Sequence, residues 1–115
     1  MKENMSKKEL QAQYKEREII GGIIAIRNTL NNKMLLEATI NLQGSKNRFD
    51  FSQKTGSCIH MKLQDDWNKQ SSDQFVFEVL EELKKGDTQT EKEFKADIDI
   101  LMEIWLEKMS DNDLY

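Results

Sequence analysis

The chain has 115 residues, 37% of them apolar and 33% charged, and carries a net charge of −4 at pH 7. That is enough apolar material for one domain with a single core, and the profile is neither that of a disordered chain nor of a membrane-spanning one. The acidic balance argues against tight DNA binding, which draws on Lys and Arg displacing counterions, and a single cysteine excludes an intramolecular disulfide.

Behind the lysines of MKENMSKKEL there is no apolar signal core, so the chain reads as a cytoplasmic protein with no membrane association. Ser6 and Glu9 form a capping-box pair that starts a mostly polar helix running to about Glu18. EIIGGIIAIRNT is rich in β-branched residues, LNNK is a turn because Asn tolerates positive φ, and MLLEAT is a returning strand. An antiparallel hairpin over 22–28 and 33–38 follows, with the Gly21–Gly22 pair at its entry suited to close backbone approach.

INLQGSKNRFDFSQKTGS mixes Ile40, Leu42, Phe49 and Phe51 with polar residues and reads as a weak helix or an irregular segment. Ile59, Leu63 and Trp67 are four apart, with Ser57 as an N-cap, and give a short amphipathic helix. Phe75, Phe77 and Val79 alternate as on a strand face. After the KKGDTQT loop, Thr90 stands three before Glu93. Phe94, Ile98, Leu101, Met102, Trp105 and Met109 then share one helical stripe. The result is an α+β domain: a small sheet and about four helices.

Residues that carry chemistry are few. Cys58 and His60 lack a second pair to complete a zinc set and make no marked nucleophile–base dyad. Asp65 with Asp66, and Asp97 with Asp99 and Glu103, are weighed as Mg²⁺ ligands against the plainer reading of a solvated face. A basic face for nucleic acid gathers Arg27, Lys33, Lys46, Arg48, Lys54 and Lys62; the alternative is a scattered solvated surface. Trp67 and Trp105 lie on apolar stripes, where core packing outweighs base stacking.

The order of these segments resembles the GIY-YIG nuclease superfamily, in particular its small stand-alone members. Gly22-Ile23-Ile24 stands in the Gly-x-Tyr slot, RNTLNNK in the connecting turn and Leu35-Leu36-Glu37 in the Tyr-x-Gly slot. LQDDWN at 63–68, FVFEVLEEL at 75–83 and IWLEKM at 104–109 are similar to the central helix, third strand and acidic-residue helix of that family. The resemblance implies a central antiparallel three-stranded sheet flanked by helices over residues 20–109. Before it lies an N-terminal helix or extension over 1–19, and after it a C-terminal tail over 110–115.

It also implies where catalysis would sit. The activating tyrosines fall on Ile24 and Leu35, the motif glycine on Glu37, the phosphate-stabilising arginine on Ser45 and the metal-holding glutamate on Met102. Phosphodiester hydrolysis needs a divalent ion, a base for the water and a cation for the developing charge. With apolar or neutral groups in those slots, the expectation is an inactive nuclease-family domain with no resident cofactor. Ile24, Leu35 and Met102 would together fill its cleft, and the domain would serve as a nucleic-acid-binding or interaction module with weak affinity for DNA through Arg27, Lys33, Lys46 and Arg48. Two alternatives stand beside it. One is an active, divergent Mg²⁺-dependent DNA endonuclease using Glu37, Asp99 or Glu103, and Arg48 as substitutes. The other is a homodimeric protein-interaction domain.

Overall fold

The computed structural model describes residues 18–58, 60–110 and 113–115. Strand β1 (Ile20–Asn28) is central. β2 (Met34–Thr39) and β3 (Phe75–Lys84) flank it, both antiparallel, in the order β2-β1-β3. Helix α1 (Leu42–Thr55) follows the hairpin, a 3₁₀ turn at Met61–Leu63 leads into the short α2 (Gln64–Lys69), and α3 (Glu91–Lys108) follows β3. The α+β fold with a three-stranded antiparallel sheet flanked by helices is thus present. The helix expected from Ser6 falls almost wholly on residues outside those described.

Local chemistry explains the hairpin. Asn28 N–H donates to the Lys33 carbonyl at 2.9 Å, and Asn32 takes the left-handed conformation at φ 64° that Asn tolerates. The Asn28 and Asn31 side-chain oxygens accept from the Leu30 and Lys33 amides, each at 2.9 Å, so the turn closes on its own side chains. At the hairpin's open end the glycine pair is a steric necessity. A Cβ on Gly21 would collide with the Thr39 carbonyl, and one on Gly22, at φ 152°, with the Glu81 carbonyl. The β1–β3 register shifts by a bulge between Ile23 and Ile24, one residue beyond.

Alternation along β1 divides the core between two faces. Ile24 and Ile26 join Phe49 of α1, Leu63, Trp67 of α2 and Phe75 of β3; Leu35, Leu42, Cys58, Phe77 and Tyr115 pack around them. Trp67 stacks on Phe75 at 4.9 Å between ring centroids and meets Phe49 edge-on at 6.3 Å. Ile23, on the opposite face, packs with Phe94 and Ile98 of α3, surrounded by Ala38, Leu80, Leu83, Leu101, Met102 and Trp105. Fully burying residues such as Phe75 and Phe94 stabilises the fold by roughly 1.5–3 kcal/mol each.

Of the two readings of segment 40–57 the helix holds, and two other local expectations are corrected. The Asn41 side chain caps α1 by accepting from Gly44 N–H at 3.0 Å, and Gly56 ends it in the left-handed conformation. Only Ser45, Phe49 and Ser52 of this helix are buried, so two of its three inward positions are serines; Phe51, expected among the apolar residues, is 65% exposed. Ser57 does not cap the next helix. Ser57 and Cys58 are non-helical, and His60 stands at the N-cap of the 3₁₀ turn without a side-chain capping bond. Val79 pairs with Ile24, in line with Phe77 and Phe75, but is exposed rather than in the core; the extra residue of the bulge, Leu80 of β3, follows it directly.

The expected Thr90–Glu93 capping box is complete, with Glu93 N–H donating to Thr90 Oγ1 at 3.1 Å and Thr90 N–H to Glu93 Oε1 at 2.8 Å. The last residues are more than a tail. Leu114 makes a parallel bridge to Met34 on the outer edge of β2, and Tyr115 N–H donates to the Met34 carbonyl at 2.9 Å.

Candidate functional site

Antiparallel pairing sets Ile24 of β1 directly against Glu37 of β2, and Ile26 against Leu35, so these four side chains share the α1-facing side of the sheet. Ile24 is fully buried in the first cluster, with Leu35 packed at its margin. Glu37, at the end of that row nearest the sheet's opening, keeps its side chain 31% exposed. His60 Nε2 approaches Glu37 Oε1 at 4.0 Å and is buried without a hydrogen-bond partner. Cys58 turns its thiol to the His60 carbonyl at 3.1 Å and packs on the first cluster, so it does not join the pair.

Beyond Glu37 the strand ends in Thr39, whose hydroxyl organises the start of α1. Arg48 Nη2 donates to Ser45 Oγ at 3.3 Å, and Ser45 donates to Thr39 Oγ1 at 2.8 Å. Thr39 then donates to the Asn41 carbonyl at 3.0 Å and accepts from Asn41 N–H at the same distance. Ser45 and Thr39 are buried, so each hydroxyl needs these partners. Residues three apart are helical neighbours, and Arg48 returns to the Ser45 position.

Met102 lies apart from this row. It packs in the second cluster, on the α3 side of the sheet, with Ile23, Phe94 and Ile98. Ile24, Leu35 and Met102 therefore do not close a single cleft. Glu103 is exposed on α3, and Asp99 is taken up by Lys95 at 3.2 Å. Among the described residues no three His, Cys, Asp or Glu side chains converge on a point a metal could occupy. A hard divalent ion needs several oxygen ligands, and a thioether among apolar side chains with one carboxylate across the sheet does not fit it.

The cations are also dispersed. Arg27 turns to the α3 side and is paired with Glu78 at 3.1 Å. Lys46 pairs with Asp50 at 3.1 Å and lies over the Phe77 ring at 5.9 Å, and Lys33 lies over the Tyr115 ring at 6.0 Å. Arg48 and Lys54 are both exposed on α1, about 120° apart around its axis. A shallow groove of about 350 Å³ between α1 and β3, bordered by Lys46, Asp50, Gln53 and Phe77, contains none of the motif positions.

Both tryptophans are structural: Trp67 Nε1 donates to the Gly56 carbonyl at 3.1 Å, and Trp105 Nε1 to Glu81 Oε1 at 2.8 Å. Tyr115 was not anticipated. Its hydroxyl donates to Asp66 Oδ2 at 2.7 Å and accepts from Asn28 Nδ2 at 2.8 Å, closing the far end of the apolar row. Burial, then the Asp66 carboxylate, push its ionisation above the usual tyrosine range. Asn28, 87 residues away, carries no local signal that would have revealed the contact.

No protein-family model matches the chain, and no curated protein matches it. Two solved structures do. The catalytic domain of the intron endonuclease I-TevI, in a mutant form, is 27% identical over 84% of this chain and 92% of its own, with a TM-score of 0.56. A second structure, of the catalytic domain of the homing endonuclease I-TevI, is 23% identical over 83% and 95%, with a TM-score of 0.53, and shows the fold. Sheet order and these structural neighbours agree: the chain has the α+β fold of the GIY-YIG endonuclease domain.

Proposed function

We propose that this chain is a GIY-YIG domain that no longer hydrolyses phosphodiesters and serves as a nucleic-acid-binding module. The observation that carries this reading is the position of Ile24. It occupies the slot of the first motif tyrosine, is fully buried, and packs with Phe49, Leu63, Trp67 and Phe75, where a nuclease requires water and a proton acceptor. The second tyrosine slot, Leu35, extends the same apolar surface, and the arginine slot holds a buried serine committed to Thr39. Losing a single preorganised electrostatic donor commonly costs a hundredfold or more in rate, and here base, cation and metal ligand are all replaced. Binding rests on the fold shared with a DNA-processing family and on the cations of α1.

The test is fluorescence anisotropy of a labelled oligonucleotide over a salt series, with the same samples run on a denaturing gel. The expected result is salt-weakened binding with the oligonucleotide intact in Mg²⁺. Absence of binding at low salt would refute the module, and cleavage would refute its silence.

One observation favours the second reading, a divergent nuclease. Glu37 and His60 face each other at 4.0 Å beside Ile24, and the unpartnered His60 Nε2 is the kind of group that accepts a proton from water. Glu37→Ala and His60→Ala separate the readings, because only a working pair makes metal-dependent cleavage sensitive to both.

A further inference from the structure

The exposed face of α1 sets an aromatic ring among polar and basic side chains. Phe51 is 65% exposed, and the residues three and four positions away on either side are Arg48, Asn47, Lys54 and Thr55, all exposed. The acidic residue in this helix, Asp50, points about a quarter turn away and is held by Lys46. A chain of net charge −4 thus presents one helix face with two cations and an aromatic ring, and the acid at its margin, Asp50, is paired with Lys46. The acids sit elsewhere: α3 alone carries Glu91, Glu93, Asp97, Asp99, Glu103 and Glu107.

The geometry points to this face as a single-strand nucleic-acid site in which an unpaired base stacks on Phe51 and the flanking phosphates meet Arg48 and Lys54. This deepens the binding reading above and rests on it. Arg48 and Lys54 are separated by about 9 Å of helix axis, one on each side of the ring, so the backbone can cross the helix while a base lies flat on Phe51. The Arg48–Ser45 hydrogen bond uses one of five guanidinium N–H groups and steadies the rest on the exposed side. Lys54 in the last turn also offsets the partial negative charge of the helix C-terminus, which would otherwise repel a phosphate. Bases in a duplex hide their faces, so Phe51 contributes nothing there and the site prefers single strands.

Anisotropy with the full chain, a labelled 20-nucleotide oligo-dT and a duplex of equal length tests this. Phe51→Ala and Phe51→Leu are expected to weaken single-strand binding about tenfold, Phe51→Tyr to stay within about twofold of the parent, and duplex binding to be unaffected by all three. Arg48→Ala with Lys54→Ala is expected to flatten the salt dependence, by about 1.4 in the log–log slope. Because Phe51 is exposed, melting curves of its variants should overlay the parent's. Single-strand binding that ignores Phe51→Ala while duplex binding persists would overturn this site and leave the binding reading standing. Binding to neither nucleic acid would overturn both.

Discussion

Ile24 and Glu37 are direct cross-strand partners on one face of the sheet, yet the first is fully buried and the second is about a third exposed. The boundary between buried core and solvent therefore runs between these two residues. Replacing Ile24 by Ala removes buried methyl groups and leaves a hole among Phe49, Leu63 and Trp67. The expected cost is about 2–5 kcal/mol, read as a lower urea midpoint with unchanged slope. Restoring the family tyrosine with Ile24→Tyr overfills the site and should cost roughly 1–3 kcal/mol without conferring cleavage. A tyrosine variant as stable as the parent would mean that the row holds open space.

The Ser45 hydroxyl is a structural link in this protein. Ser45→Ala strips Thr39 Oγ1 of a donor in a buried place and should cost about 1 kcal/mol, whereas Arg48→Ala, an exposed end of the same chain of bonds, should cost a few tenths at most. Equal losses for the two variants in chemical denaturation would show that Arg48 carries the packing.

Tyr115 ties the C-terminal residues to the hairpin. Tyr115→Phe leaves Asn28 Nδ2 without its acceptor and is expected to cost about 1–3 kcal/mol. Burial of the phenol, together with its bond to Asp66, predicts a pH dependence. The folded state holds the phenolic proton more tightly than the unfolded chain, so the stabilisation is complete below the ordinary tyrosine value of ~10 and is lost as pH rises through the higher folded value. Parent and Tyr115→Phe melting temperatures should converge between neutral pH and strongly alkaline solution. A gap that stays constant would place the stabilisation elsewhere.

At the start of α3, Thr90→Ala removes the cap and should cost about 1 kcal/mol. Glu93 is held below the usual carboxylate range, first by the hydrogen bond from Thr90 N–H and then by the Thr90 side chain. Its contribution is therefore present above the ordinary glutamate value of ~4.3 and fades as pH falls through the lowered folded value. Titrating stability downward in parent and Glu93→Ala checks this: the difference should shrink in acid.

These contacts show what one sequence reveals and what it hides. The hairpin was legible because its determinants are local: a glycine pair that no side chain can replace, and asparagines that close the turn on themselves. The α3 stripe and its capping box were legible for the same reason. Helix α1 was obscured because serines fill two of its three buried positions, so its apolar period is nearly silent, while its caps Asn41 and Gly56 look like ordinary loop residues. Of the site, the Ile24–Glu37 pairing followed from hairpin register, but nothing near His60 announces that it folds back on Glu37. Met102 was placed in the cleft by alignment alone; alternation along β1 puts it behind the sheet. Phe51 was read only as one of several apolar residues in a mixed segment, because spacing alone does not tell an inward phenylalanine from an outward one when the helix's buried stripe is polar.

The sharpest measurement is the fate of supercoiled plasmid incubated for hours with micromolar protein in Mg²⁺ or Mn²⁺. With Ile24 buried among apolar side chains and Leu35 packed against the same cluster, the proposed function predicts that the plasmid stays supercoiled. Metal-dependent nicking by the parent that disappears in Glu37→Ala would contradict the account.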